Sequence, residues 1–265
     1  MPELPEVETI RRALAPLVVG RRIVEAGGHP SPKFDQAAAA RGATVREVRR
    51  RGKYLLAELD DGRELIVHLG MTGSLRVGAP RPGPDPYLRA WWALDDGQAL
   101  ELRDIRRFGR VAVTRAGDYR SLPTLAELGP EPFELTADAF WAALARSRAH
   151  LKARLLSQRP IAGVGNIYAD EALWQARLHP ARRRVSRPQA AALLTALQAV
   201  LQAGIDNGGT TLRDYRTVSG DEGAHQHHLE CYGRAGLPCL RCGAPLKRRA
   251  YDGRTATFCA ACQTR

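Results

Sequence analysis

The chain has 265 residues, 44% of them hydrophobic and 26% charged, which is enough apolar content for a packed core and excludes wholesale disorder. No run approaches the ~18 uninterrupted apolar residues of a membrane span, and the opening Met1-Pro2-Glu3-Leu4-Pro5-Glu6-Val7-Glu8 is acidic and lacks the apolar stretch of a secretory signal. Forty Lys and Arg against 28 Asp and Glu leave a net charge of +12, a field that attracts polyanions such as nucleic acid or an anionic membrane surface.

Val7, Ile10, Leu14 and Leu17 recur at helical spacing behind Pro5, so an amphipathic helix is predicted from about Pro5 to Leu17, stopping near Gly20. Strand-like runs follow. Val45 to Leu59 reads as extended, and Asp60-Asp61-Gly62 turns it into Glu64 to Leu69. Asp95-Asp96-Gly97 repeats the turn between Arg89–Ala93 and Ala99–Leu102; Asp-Gly between apolar alternations is a strong hairpin signal. Residues 1–116 therefore read as an antiparallel β domain with a leading helix, and the Pro-rich stretch within 117–132 as a linker. Helical patterns at Ala137–Ala145, Leu151–Gln158, Asn166–Ala176 and Gln189–Ile205 define a helical domain over 133–228. Between Arg146 and Arg187, ten basic residues face only Asp170 and Glu171, so this segment alone carries +8.

All five cysteines lie beyond residue 230, which excludes a disulfide framework for the whole chain. Cys239-x2-Cys242, sixteen residues, then Cys259-x2-Cys262 is the spacing of a four-thiolate structural zinc site within a last module over 229–265. Such a closed site has no open coordination position, so the metal is structural and Cys231 is left over. Arg241, Lys247, Arg248, Arg249 and Arg254 make the module basic, which suits DNA phosphates.

The opening string through Thr9, together with Arg51-Gly52-Lys53-Tyr54-Leu55, His68-Leu69-Gly70-Met71-Thr72-Gly73, Arg106-Arg107-Phe108-Gly109, the run from Gln158 to Glu171 and Tyr232-Gly233-Arg234, resembles the bacterial formamidopyrimidine-DNA glycosylase family over the whole chain. The resemblance implies an α+β multidomain fold: an N-terminal antiparallel β-sandwich, a helix–two-turns–helix domain and a C-terminal zinc hairpin. It implies a cytoplasmic, monomeric enzyme of base excision repair that removes oxidised purines from double-stranded DNA and cleaves the strand by β,δ-elimination, with one structural zinc. Its catalytic residues would be Pro2, Glu3, Lys53 and Arg254. Its DNA contacts would be His68, Met71, Arg89, Arg106, Phe108, Arg148, Lys152 and Asn166, with Lys152 and the Gly163-Val164-Gly165-Asn166 turn as a phosphate clamp.

The residues suit that chemistry. Removal of Met1 would expose the Pro2 secondary amine, and an α-amino group with a pKa of about 7.7–8.0 is partly neutral and nucleophilic near pH 7. Glu3 beside it is the general acid/base. Met71, Arg106 and Phe108 match a wedge that fills the gap left by a flipped base, and their flanking glycines predict exposed loop tips. The chain departs from the family at Ile105, where Pro is usual, at Arg89, where His is usual, at Ser157, at Thr255-Ala256, and in the His-rich loop 219–228. Two other readings compete: the pyrimidine-directed sibling endonuclease VIII, which usually has Gly where Leu4 stands, and a non-catalytic zinc-hairpin protein that binds DNA, for which Pro2-Glu3 would have no purpose.

Overall fold

A computed structural model describes residues 1–80 and 83–264, which divide into two compact units. The first comprises residues 1–126 and 207–224. Its leading helix α1 (Leu4–Val18) is followed by eight strands: β1 (Ile23–Gly28), β2 (Val45–Arg51), β3 (Tyr54–Leu59), β4 (Arg63–His68), β5 (Gly73–Gly78), β6 (Leu88–Leu94), β7 (Ala99–Asp104) and β8 (Arg110–Arg115). They form two four-stranded antiparallel sheets, in the orders β1-β6-β7-β5 and β2-β3-β4-β8. The alternating apolar residues of both sheets, among them Val48, Leu55, Trp92 and Leu102, share one core, as a sandwich requires.

Helix α1 adds Val7, Ile10, Leu14 and Val18 to that core, while Leu17 is 39% exposed. Residues three and four beyond Leu14 can both reach an apolar stripe, and the sandwich takes Val18. The expected continuous run from Val45 to Leu59 is two strands. Gly52 at φ +56° and Lys53 form a tight turn, with Arg51 opposite Tyr54. A left-handed residue cannot continue an extended strand, and glycine adopts that conformation without a Cβ clash.

The segment 207–224 lies with the sandwich although helical residues precede it. Buried Glu6 explains part of this: its Oε2 accepts the Glu3 N–H and its Oε1 accepts the Thr210 N–H, each at 2.7 Å. Tyr215 and Val218 join the sandwich core. A contact between positions 6 and 210 leaves no local pattern in the sequence.

The second unit comprises residues 127–206 and 225–264 of the described chain. A short helix, α2 (Pro123–Ala126), closes the first unit; the second holds α3 (Ala137–Ala145), α4 (Leu151–Leu156), α5 (Asn166–Gln175), α6 (Arg187–Asp206) and the hairpin of β9 (Lys247–Tyr251) and β10 (Arg254–Phe258). Asp252-Gly253 forms the hairpin turn, both residues at positive φ. Leu193, Leu194, Leu197, Val200 and Leu201 of α6 are buried as their spacing predicts. No described helix is long and apolar enough to cross a membrane.

Helices α5 and α6 meet at Gly204, where a Cβ would stand 2.6 Å from Cε1 and the hydroxyl of fully buried Tyr168. Helix propensity favours alanine over glycine by about 1 kcal/mol. Gly204→Ala should nevertheless lower stability, by roughly 1–3 kcal/mol, because the packed ring cannot withdraw. Thermal unfolding checks this, and a raised Tm would show that the contact yields.

Candidate functional site

At the chain start Met1 is half exposed while Pro2 and Glu3 are buried, Glu3 standing at the N-cap of α1. The Lys53 turn is tied to this helix through Arg50, whose Nε donates to Glu8 Oε2 at 3.2 Å and whose Nη1 donates to Gly52 O at 3.1 Å. Lys53 itself is buried. On the neighbouring strand His68 packs its ring at 4.6 Å from that of Tyr54. Burial, with the cations Lys53 and Arg110 close by, pulls the His68 pKa down to about 4, so the ring is neutral at pH 7. Its Nδ1 accepts the Gly70 N–H at 3.1 Å, which leaves the ring proton on Nε2.

The residues read as a wedge lie on two touching loops. Met71 and Phe108 are 40% and 47% exposed, and Arg106 is exposed with its guanidinium 4.6 Å above the Phe108 ring. A Cβ on Gly70, at φ +64°, would stand 2.4 Å from Gly109 N, so the loops approach as closely as backbone allows. Buried Asp104 braces both. Its carboxylate accepts from Thr72 Oγ1, from Arg106 N at 3.2 Å and from Gly109 N at 2.7 Å. Sequence reasoning missed this residue, although Asp two positions before an accepted N–H is the pattern of an Asx turn.

Arg89 joins this brace. It is 6% exposed, donating from Nε to Asp104 O at 2.8 Å and from Nη1 to Pro86 O at 2.9 Å. Its Nε and Nη1 thus donate within the sandwich, whereas the family resemblance implies a phosphate contact for this position.

In the second unit Lys152 is likewise engaged within the fold. Its ammonium is 1% exposed and donates to Asp170 Oδ1 and to Thr255 O, both at 2.6 Å. Asp170 Oδ2 accepts the Thr257 N–H at 2.8 Å, so this pair fastens α4 and α5 to β10. Glu171 completes the fastening, since its carboxylate accepts the N–H groups of Glu230, Cys231 and Tyr232 at 2.6–2.9 Å. Burial raises the pKa of both acids. Neither partnership has a sequence signal, as the donors are 18 to 87 residues away.

The Gly163–Asn166 turn is braced by Gln158, whose Nε2 donates to Val164 O and whose Oε1 accepts the Gly163 N–H. Asn166 opens α5 with its Oδ1 buried and unpartnered. Arg148 is exposed, and so is Arg254 beside the hairpin turn. In the His-rich loop, His225 is buried and stacks on Tyr168 with 5.6 Å between ring centres.

The ligand atoms of Cys239, Cys242, Cys259 and Cys262 all lie within 4.8 Å of one another. Sulfurs arranged tetrahedrally at about 2.3 Å from zinc stand roughly 3.8 Å apart. The separations of Cys239–Cys262 and Cys242–Cys259, 4.0 and 3.5 Å, match that spacing. The four thiols fit one structural zinc. Cys231 is outside the cluster, with Sγ donating to Thr257 O at 3.2 Å in a buried setting.

Comparison with known proteins finds three successive family models along the chain. Residues 1–111 match the formamidopyrimidine-DNA glycosylase N-terminal domain, 128–216 its H2TH domain, and 236–265 a zinc finger found in FPG and IleRS. The chain belongs to the formamidopyrimidine-DNA glycosylase family. It is 46% identical to the formamidopyrimidine-DNA glycosylase of Thermomicrobium roseum, with 99% of each chain covered. The crystal structure of MutM (Fpg) from Thermus thermophilus matches 99% of this chain and 98% of that one with a TM-score of 0.91 at 46% identity. A Lactococcus lactis Fpg mutant in complex with Fapy-dG containing DNA matches over 100% of both chains, with a TM-score of 0.88 at 33% identity.

Cys259→Ser should lose the zinc and destabilise the hairpin, because in such modules metal binding supplies folding energy. Cys231→Ser should keep one zinc per chain by metal analysis. The opposite pattern would redraw the ligand set.

Proposed function

We infer that this protein is a bifunctional DNA glycosylase and AP lyase that removes oxidised purines, 8-oxoguanine and formamidopyrimidines, from duplex DNA. It acts as a monomer in the cytoplasm. The observation that carries the reading is the Pro2-Glu3 start, held by Glu6 at the head of α1, in a chain related to formamidopyrimidine-DNA glycosylases along its whole length.

With Met1 removed, the neutral Pro2 nitrogen attacks C1′ of the damaged nucleotide, and the bond from C1′ to the base breaks. The base leaves with the electron pair and takes up a proton, while Glu3 serves the sugar oxygen as acid and base. The Pro2 nitrogen gives up its proton, Glu3 protonates O4′, and breakage of the C1′–O4′ bond opens the sugar to an iminium, an electron sink that acidifies the C2′ proton. Loss of that proton expels the 3′ phosphate, and a second elimination expels the 5′ phosphate. A secondary amine suits this path because its iminium has no N–H to lose. Lys53 assists proton transfer at the sugar, and Arg254 holds phosphate around the lesion. His68 offers Nε2–H to a phosphate as a neutral donor, and Asn166 a further polar contact at the head of α5.

The flipped base leaves a gap in the duplex. Met71 and Phe108 fill it, and Arg106 turns its donor fork to the orphaned partner. Cytosine presents O2 and N3 acceptors to that fork, whereas adenine presents an N6 donor. The exposure of these side chains and the rigid Asp104 brace beneath them support this role.

Pro2→Gly should reduce borohydride trapping on 8-oxoguanine DNA by roughly 10²-fold or more with folding intact. Undiminished trapping by the processed variant would transfer the nucleophile elsewhere, Lys53 first. Wild-type enzyme should excise 8-oxoguanine opposite C about ten- to a hundred-fold faster than opposite A in single turnover. Arg106→Ala should compress that ratio, and Asp104→Ala should do so with the guanidinium still present. A ratio kept in full by Arg106→Ala would move opposite-base reading to another residue.

A further inference from the structure

In the loop between β7 and β8, Arg107 stands at φ +55°. Residues with a Cβ adopt this left-handed conformation rarely and at a cost. Elsewhere in the described chain, the non-glycine residues that share it have a local reason. Gln158 and Arg177 each follow the C-cap of a helix, and Asp252 belongs to the β9–β10 turn. Arg107 ends no helix, and the strands on either side of it belong to different sheets.

The strained residue is held from outside its own loop. Lys33 Nζ donates to Arg107 O at 2.8 Å, across 74 positions of sequence. Lys33 is well placed for this. Its own carbonyl accepts the Val111 N–H at 2.7 Å, at the start of β8, and the adjoining Phe34 is fully buried. The loop is thus gripped at two points, by the Asp104 carboxylate on Arg106 N and Gly109 N, and by the Lys33 ammonium on the carbonyl between them. The same ammonium lies 5.8 Å from the centre of the Phe108 ring, which also carries the Arg106 guanidinium at 4.6 Å. An aromatic face attracts both cations and offsets their mutual repulsion.

We propose that Lys33 is a positioning residue for opposite-base reading. By holding the Arg107 carbonyl it keeps the left-handed turn, and the turn presents Arg106 stacked on Phe108 before DNA arrives. Ordering these side chains in advance removes a cost that binding would otherwise bear. Without the bond Arg107 relaxes out of the left-handed region, and the neighbouring guanidinium loses its fixed direction. The assignment rests on the reading of Arg106 as the residue that faces the orphaned partner base.

The test removes the donor while keeping the apolar stem, with Lys33→Met. Lys33→Gln, neutral and one atom shorter, is a second removal variant, and Lys33→Arg keeps a charged donor. In single-turnover excision of 8-oxoguanine, Lys33→Met and Lys33→Gln should each lower the C-over-A ratio about three- to tenfold, the scale of one lost hydrogen bond. Lys33→Arg should stay within about twofold of wild type. In an Arg106→Ala background Lys33→Met should change the ratio no further, because it acts through that guanidinium. The log–log salt slope for binding should stay at its wild-type value, since the ammonium is engaged by a carbonyl. Hydrogen exchange at the Arg106 and Gly109 amides of the free protein should quicken in Lys33→Met and not in Lys33→Arg. A full ratio in both removal variants overturns the proposal, as does a further loss on top of Arg106→Ala. A salt slope flattened by about 0.9 also overturns it, by making Lys33 a phosphate ligand. Failure of the underlying reading is distinguishable: Arg106→Ala would then itself keep the ratio, whereas failure of the proposal alone leaves Arg106→Ala impaired and the Lys33 variants intact.

Discussion

Asp104 sits beneath two exposed loops and takes hydrogen bonds from Thr72, Arg106 and Gly109 in a site closed to water. A buried carboxylate is stable only when its lone pairs are filled, and each donor it recruits loses freedom in return. The same device recurs. Glu6 holds the chain start and the 207–224 segment, Asp170 joins α4, α5 and β10, and Glu171 gathers three successive N–H groups at the head of the zinc module. The segments these acids hold are loops and chain ends, which are the least able to order themselves. Buried acids give them a fixed geometry without apolar bulk.

This arrangement also sorts charge. Acids engaged in fastening are withdrawn from solvent, so the +12 excess falls to exposed arginines. A positive surface raises the local concentration of a polyanion and speeds encounter, at the cost of self-repulsion in the compact state. The fasteners offset that repulsion locally, as the Lys152–Asp170 pair shows at the hairpin. Charge on the surface draws a polyanion, and charge in the interior sets the loops.

The zinc module needs a further restraint, because its own apolar cluster consists of little more than Trp174, Cys231, Cys239, Leu246 and Cys259. Trp174 of α5 donates from Nε1 to Cys239 Sγ at 3.4 Å, and Arg241 stacks on the same ring. The metal closes the two knuckles, and α5 sets their position. The hairpin carrying Arg254 is therefore referenced to the helix that begins at Asn166.

Much of this was legible in the chain itself. Apolar spacing determined α1 and α6, the Asp-Gly turns determined the β3–β4 and β6–β7 hairpins, and the two CxxC pairs determined the metal ligands, because each rests on residues within one turn, one strand or one knuckle. Exposure of Met71 and Phe108 was also readable, from glycines that leave no room for side chains where the loops touch. What the tertiary structure decided were the partners of charged groups. Arg89 and Lys152, which the family resemblance sets among the DNA contacts, also donate to a carbonyl and a carboxylate that folding brings near. Asp104, Glu6, Asp170 and Glu171 gained their importance in the same way. Periodicity records which face of an element is apolar, whereas a hydrogen bond between distant residues depends on where the folded chain places both ends, and no local pattern carries that information.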